Sequence, residues 1–159
     1  MNATGCLRSV RVVISEAMTA TRIEVGDLRP AEAELLFGLA KSTFETIPGW
    51  TDERVVAALA NDVVFVARED GVQAGYVALA PKADEGLVIE QLLVAPGHEH
   101  RGVGRRLLAH AEGYAIAQGA PSLLIVAERD NHAARGFYVR SGFVPVAGEL
   151  LELVLPRRA

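Results

Sequence analysis

Residues 92–108 read LLVAPGHEHRGVGRRLL, a segment that joins the end of an apolar strand, a loop and the start of a helix. Backbone N–H groups at a helix start lack intrahelical partners and carry partial positive charge, so they bind anions. Gly102 and Gly104 leave room for a ligand to approach these groups. Three arginines make the segment locally positive against one glutamate: Arg101, Arg105 and Arg106 against Glu99. The segment therefore predicts a site for a phosphate-bearing ligand.

Two common nucleotide motifs do not fit this segment. A Walker A loop requires Gly-x4-Gly-Lys-Ser/Thr, and the dinucleotide fingerprint requires a third glycine where Leu107 stands. A nucleotide-binding protein is therefore disfavoured. Taken alone, Gly102 and Gly104 are also compatible with a turn that uses glycine only for its backbone conformation, and that alternative stays open at this point.

A second segment, residues 131–143, reads NHAARGFYVRSGF. Asn131 is a good helix N-cap, and Gly142 follows the predicted helix end at Ser141. On a helix, Asn131, Ala134 and Tyr138 are spaced to share one face.

Together the two segments resemble the GNAT superfamily of N-acetyltransferases. Residues 99–104 are similar to its pyrophosphate loop, Gln/Arg-x-x-Gly-x-Gly/Ala, and residues 131–143 to its Asn-x-x-Ala-x-x-Phe-Tyr-x-x-x-Gly-Phe segment. One position departs from the pattern, since Glu99 stands where the family has Gln or Arg. A carboxylate accepts hydrogen bonds but donates none, and it repels phosphate. We expect His100, Arg101 and Arg105 to compensate.

The resemblance implies direct transfer of an acetyl group from acetyl-coenzyme A (acetyl-CoA) to an amine. It also implies an α/β fold, with a mixed, mostly antiparallel sheet, helices on both faces and a splay between the two central strands. The cofactor would lie in that splay. The cofactor-binding residues implied are Leu92, Leu93, Val94, Glu99, His100, Arg101, Gly102, Val103, Gly104, Arg105, Asn131, Ala134 and Phe137.

Glu90 and Tyr138 are the catalytic candidates. An alkyl amine of pKa about 10.4 is neutral in only about one part in 2,500 at pH 7, a deficit of about 4.6 kcal/mol, so a general base should help more than a general acid. Glu90 lies in an otherwise apolar strand, at the same strand parity as Leu92 and Val94, where a carboxylate is costly unless used or paired. Tyr138 is the candidate acid. A structural ion pair for Glu90 and a core role for Tyr138 stay open.

The resemblance also implies that the acceptor binds between the first two predicted helices. Phe44 and Trp50 lie there, with Glu90 as a third substrate-binding candidate, although plain packing is an equal interpretation for Trp50. We predict no metal site, because the four histidines lack metal-ligand spacing and Cys6 is the only cysteine.

Outward from these segments, the hydrophobic pattern and the Gly and Pro positions predict a single domain over 21–159 after an N-terminal extension over 1–20. The predicted helices are Pro30–Lys41, one capped by Thr51 or Asp52, Gly102–Gln118, and one from Asn131 to Ser141. The predicted strands are Arg22–Val25, Val63–Arg68, Gln73–Ala80, Gly86–Val94, Ser122–Ala127, Phe143–Val146 and Glu149–Leu155.

Composition narrows the function classes. The chain has 159 residues, a net charge of −4 and a pI near 5.6, which gives no electrostatic footprint for general nucleic-acid binding. No apolar run approaches a membrane span. We expect a cytoplasmic protein, and the resemblance implies a homodimer that acetylates a small-molecule or peptide amine. The alternative is a non-catalytic acyl-CoA-binding or sensor protein of the same fold.

Overall fold

The computed structural model describes residues 21–44, 46, 50–82 and 86–157. The predicted extension over residues 1–20 lies outside this part of the chain. The strands are β1 Ile23–Asp27, β2 Val63–Glu69, β3 Val72–Lys82, β4 Gly86–Val94, β5 Ser122–Val126, β6 Val144–Ala147 and β7 Leu150–Val154. The helices are α1 Ala33–Phe44, α2 Asp52–Asn61, α3 Val103–Ala117 and α4 His132–Arg140, and a 3-10 turn, Pro30–Glu32, precedes α1.

The seven strands form one mixed sheet in the order β1-β2-β3-β4-β5-β7-β6. Only β4 and β5 are parallel among these pairs, as the intervening helix α3 requires, and the other neighbours are antiparallel. The mixed, mostly antiparallel α/β sheet predicted from the sequence is confirmed. None of the described helices is both long enough and apolar enough to span a bilayer.

The sheet has an apolar cluster on each face, because side chains alternate along its strands. On β2, Phe65 and Ala67 belong to the cluster that α3 covers, whereas Val64 and Val66 belong to the cluster that α1 and α2 cover. Helices therefore pack on both faces, as the resemblance implied. Leu107 of α3 is fully buried in the first cluster.

The first helix begins later than the sequence predicted. Pro30 starts a 3-10 turn instead, and α1 starts at Ala33. Glu32, in this turn, is buried and accepts hydrogen bonds from both Arg68 Nε and Nη2, at 2.7 and 2.6 Å, and from the Arg29 N–H. This ion pair ties the turn to β2.

The strands β4 and β5 are paired only at their beginnings. The register joins Leu87 to Leu123 and Val88 to Leu124, and stops there. At the base, Gly86 has a φ of +114°, and a Cβ on it would lie 2.2 Å from the Ser122 carbonyl oxygen, so only glycine fits this close approach. Beyond Val88 the strands separate, which produces the predicted splay.

A β-bulge changes the side-chain alternation of β4 at Glu90. Ala78 pairs with Gln91 and the next residue, Leu79, pairs with Ile89, so Glu90 is the extra residue on its strand. The expectation that Glu90 shares its strand face with Leu92 and Val94 was therefore wrong. A bulge adds one residue and shifts the parity of every side chain after it.

Candidate functional site

A cleft of about 500 Å³ opens where β4 and β5 separate. Its walls come from β4, the loop before α3, the first turn of α3 and one face of α4. The lining residues are Leu92, Val94, His98, Glu99, His100, Gly102, Val103, Gly104, Arg105, Ala134, Phe137 and Tyr138. The structure thus brings both sequence segments into one site.

The loop before α3 and the first turn of α3 line this cleft. His100 and Gly102 have φ values of +59° and +86°, and Gly102 is the N-cap of α3 with no side-chain capping bond. Arg106 N–H donates to the Gly102 carbonyl at 3.1 Å, so the N–H groups before it are the unpaired first turn. Left-handed residues at a helix start turn N–H groups toward one point, and such a concavity holds anions.

Gly104 provides a test of whether a ligand fits. A Cβ on Gly104 would lie 3.5 Å from the Val94 side chain and 3.6 Å from the Phe137 ring, which are ordinary contact distances. The fold would therefore accept a side chain here, but that side chain would occupy the cleft. The bare backbone of Gly104 leaves this part of the cleft open.

The Glu99 carboxylate lies on the cleft wall, but it is partly engaged by its own loop. Its Oε2 accepts a hydrogen bond from the Gly97 N–H at 3.3 Å. Glu99 is exposed to solvent, where charge is screened. The departure from the family pattern therefore places a solvated carboxylate at the rim of the cleft.

Glu69, at the end of β2, holds the same loop from outside the cleft. Its carboxylate accepts from the Arg101 guanidinium at 2.8 Å and contacts the Nδ1 of His98. These two partners, Arg101 first, lower the pKa of Glu69. Sequence reasoning missed both Glu69 and His98 as contributors, although the acidic end of an apolar strand was a usable signal for Glu69.

Tyr138 lies at the bottom of the cleft. Its side chain is 6% exposed, and its ring packs edge-on against those of Phe137 and Phe143. Burial raises the pKa of the Tyr138 hydroxyl well above its usual value. The hydroxyl therefore keeps its proton throughout the neutral pH range.

A second cavity, of about 250 Å³, lies on the other face of β4. Leu92 and Val94 pack against the cluster under α3, whereas Gln91 bonds to Tyr76 in the cluster under α1 and α2. Two predicted substrate residues, Trp50 and Glu90, meet here. The lining residues are Trp50, Arg54, Ala57, Ala58, Asn61, Asp62, Glu90 and Gln91. We call this the second cavity.

Asp62 also lines the second cavity, and the sequence analysis did not single it out. It follows α2, and its Oδ2 is buried with no hydrogen-bond partner in the described part of the chain. Burial, followed by the charge of Glu90, raises the pKa of Asp62 to about 6. A buried acceptor without a donor is costly, so this atom is suited to a donor from a ligand.

Arg54 adds a positively charged side chain to the second cavity. Its guanidinium lies 4.9 Å from the centre of the Trp50 ring, within range of a cation–π contact. Trp50 thus forms an aromatic wall with a cation over it. Of the other predicted acceptor residue, Phe44, the structure describes the backbone at the end of α1.

Three predicted cofactor residues do not line the cleft. Leu93 is buried in the cluster under α1 and α2, and Arg101 turns to Glu69. Asn131 caps α4, and its Oδ1 accepts from the Ala134 N–H at 3.2 Å. The described residues contain no group of three His, Cys, Asp or Glu side chains that could hold a metal ion.

A family model described as Acetyltransferase (GNAT) family matches residues 33–143. The chain belongs to the GNAT family. The matched range includes both segments that the sequence analysis singled out, residues 92–108 and residues 131–143.

Two curated relatives of this chain are acetyltransferases. Streptothricin acetyltransferase from Streptomyces lavendulae is 40% identical over 86 residues, which cover 53% of this chain and 46% of that protein. Mycothiol acetyltransferase from Kineococcus radiotolerans is 35% identical over 127 residues, which cover 77% of this chain and 41% of that protein. The chain thus matches less than half the length of each.

A solved structure with the same fold is PaiA N-acetyltransferase from Thermoplasma acidophilum, in complex with coenzyme A. It has a TM-score of 0.67 and 22% sequence identity, and the match covers 84% of this chain and 99% of that chain. The likeness supports the GNAT architecture of the sheet and helices.

Proposed function

We propose that this protein transfers an acetyl group from acetyl-CoA to a primary amine of a small molecule or peptide. The observation that carries the proposal is the placement of the two cavities on opposite faces of β4. An anion-binding helix start and a buried tyrosine lie on one side, and two carboxylates lie on the other. A cofactor and an amine entering from opposite sides would meet at the bulged part of this strand.

The cleft fits the cofactor through its backbone. The N–H groups of residues 102–105 would hold the diphosphate, and β4 beyond Val88, where the register with β5 ends, would face the pantetheine arm. When bound, acetyl-CoA supplies an acyl group activated as a thioester. Tyr138 holds a proton at its hydroxyl on the cleft wall throughout the neutral range.

The second cavity fits a cationic acceptor, because its two carboxyl groups outnumber the Arg54 guanidinium. An ammonium group donates up to three hydrogen bonds, and the buried Asp62 Oδ2 and the exposed Glu90 carboxylate both accept. Asp62 would bind the ammonium form, and Glu90, on the bulge of β4, would take its proton directly or through water. Trp50 would contact the carbon skeleton of the acceptor.

The proposal is tested by an acceptor screen. Purified protein is incubated with acetyl-, propionyl- or succinyl-CoA and a panel of primary amines, and products are identified by mass spectrometry. Matched alcohols of the same carbon skeleton serve as controls. We expect acetylated primary amines and unmodified alcohols, whereas acetylation of no amine would contradict the proposal.

A second function has one observation in its favour, namely the Glu99 carboxylate on the cleft wall where the family pattern has Gln or Arg. On this alternative the protein binds acyl-CoA without turnover, as a sensor. Release of free thiol from acetyl-CoA on addition of amine separates the two. Tight coenzyme A binding with no thiol release on any amine would favour the sensor.

We further propose a cytoplasmic homodimer. The presence of Cys6 as the only cysteine suits a reducing compartment. The edge strand β6 exposes Val144 and Val146, 55% and 54% accessible, and an unpaired edge can accept a strand from a second copy. Sedimentation velocity should give a dimer for the wild type and a monomer for Val146→Lys. A monomeric wild type would contradict this assembly.

A further inference from the structure

The loop that lines the cleft depends on one buried carboxylate outside it. Glu69 is 4% exposed and lies at the end of β2, in the sheet. Its Oε1 accepts from Arg101, at 2.8 Å, and its Oε2 contacts His98. The two bonds hold the loop on either side of the left-handed residue His100.

The loop has few other attachments to the sheet near this point. Ala95 N–H donates to the Ala74 carbonyl at 2.7 Å, before the loop turns, and His98 N–H donates to Ala95 within the loop. Between His98 and the start of α3, the described side-chain contacts with the sheet are those that His98 and Arg101 make with Glu69. They fix the backbone that lines the cleft.

The structure gives Arg101 a different role from the cofactor contact that the resemblance implied. It is the one arginine of residues 99–104, yet it does not line the cleft, because its guanidinium is bound to Glu69. Charge-assisted hydrogen bonds of this type are stronger than neutral ones. Its positive charge is largely neutralised by Glu69, so it adds little to the field at the diphosphate.

We infer that Glu69 is a positioning residue for the cofactor diphosphate, which it orients indirectly by bonding His98 and Arg101. The inference rests on the proposed placement of acetyl-CoA in the cleft. It goes beyond that placement because it assigns affinity for the diphosphate to a side chain that cannot reach it. Preorganised loops bind more tightly, since less conformational freedom is lost on binding.

Glu69→Gln should have two opposing effects on the binding of the diphosphate. Loss of the brace loosens the loop and weakens the binding of the diphosphate. Loss of the negative charge frees Arg101 to approach the diphosphate and strengthens binding. Because the freed guanidinium, already 56% exposed, would be solvated and screened, we expect the first effect to dominate.

The test compares acetyl-CoA with S-acetylpantetheine, which carries the thioester without the diphosphate. For Glu69→Gln we expect the KM for acetyl-CoA to rise about tenfold, with kcat within about twofold of the wild type. The kcat/KM for S-acetylpantetheine should be unchanged. Glu24→Gln, which removes an exposed carboxylate paired with Arg22 on β1, is the matched control and should alter neither substrate.

A double-mutant cycle tests whether Glu69 and Arg101 act together on the binding of acetyl-CoA. Because Glu69 keeps its contact with His98 in Arg101→Leu, this variant should raise the KM for acetyl-CoA by less than Glu69→Gln does, and the double variant should raise it no further than Glu69→Gln alone. An unchanged or lowered KM for Glu69→Gln would overturn the inference. Equal losses on both thioesters would also overturn it, because they would mean general destabilisation. A wild type with no preference for acetyl-CoA over S-acetylpantetheine would instead refute the proposed cofactor placement, and the inference with it.

Discussion

The carboxyl groups of Asp62 and Glu90 share one cavity on the face of β4 opposite the cleft, although 28 positions separate them in the sequence. Burial, followed by the charge of Glu90, raises the pKa of Asp62 to about 6. Two carboxylates near one another disfavour ionisation. A cationic amine between them would relieve this repulsion and supply a donor to the orphaned Oδ2.

Asp62→Asn should weaken the binding of the amine and stabilise the fold above pH 6. A folded-state pKa above the usual value means that the folded protein binds the extra proton between about pH 4 and 6, so stability is lost as pH rises through 6. Above pH 6 the variant should therefore have a higher Tm than the wild type, and below pH 4 an equal one. Its KM for the amine at pH 7.5 should rise at least about tenfold. A lower Tm with an unchanged KM would contradict this role.

Glu90→Gln should lower kcat/KM for the amine at pH 7 by about 10²- to 10⁴-fold, the usual contribution of a general base. The defect should shrink as pH rises toward the pKa of the amine, because the neutral amine then needs no base. Steady-state rates from pH 6 to 10 check this. Glu53→Gln, an exposed glutamate in the first turn of α2, is the control. A defect that is constant across pH would contradict a proton-transfer role.

Tyr138→Phe should lower kcat about tenfold or more and change the KM for acetyl-CoA little, since the ring contacts with Phe137 and Phe143 remain. Because burial raises the pKa of the hydroxyl, wild-type activity should show no loss from Tyr138 ionisation below pH 10. Stopped-flow and steady-state measurements of thiol release give both constants. An unchanged kcat would leave Tyr138 as a packing residue.

Two glycines of α3 form a matched pair for the cleft. Gly113→Ala introduces a Cβ with nothing within 4 Å, and it should raise the free energy of unfolding by about 0.5–1 kcal/mol through helix propensity. Gly104→Ala should be tolerated by the fold but place its Cβ in the cleft. We expect a raised KM for acetyl-CoA for Gly104→Ala alone. Equal KM values for the two variants would argue against a cofactor beside Gly104.

The buried pair of Glu32 and Arg68 should dominate the acid sensitivity of the fold. The Arg68 hydrogen bonds lower the pKa of Glu32 to about 2, so its contribution to stability is present above pH 4.5 and is lost as pH falls toward 2. Glu32→Gln should cost about 3–5 kcal/mol at pH 7 by urea unfolding, and less at pH 3. Glu34→Gln, exposed on α1, should cost little. A cost for Glu32→Gln that is equal at both pH values would contradict this assignment.

The elements around the site were predictable because their ends are chemically marked. Gly119 and Pro121 end α3, Thr51 accepts from the Arg54 N–H at the start of α2, and Asn131 caps α4 as predicted. The bounds of β4, Gly86–Val94, match the prediction. Local side-chain capping and turn chemistry operate over a few residues, which a sequence displays directly.

Two features of the site could not be predicted from the sequence. The bulge at Glu90 follows from the register between β3 and β4, so alternation along β4 alone gave the wrong face. Contacts such as Glu69 with Arg101 join residues on separate elements. A charged residue inside or ending an apolar strand was the available signal, used for Glu90 but also present at Arg68 and Glu69.

The most direct test of the whole account is a crystal structure of the protein with coenzyme A. The account predicts diphosphate oxygens within hydrogen-bond distance of the backbone N–H groups of residues 102–105, and the sulfur between Val94 and Tyr138. Coenzyme A bound at another surface, or no binding at millimolar concentration, would contradict it.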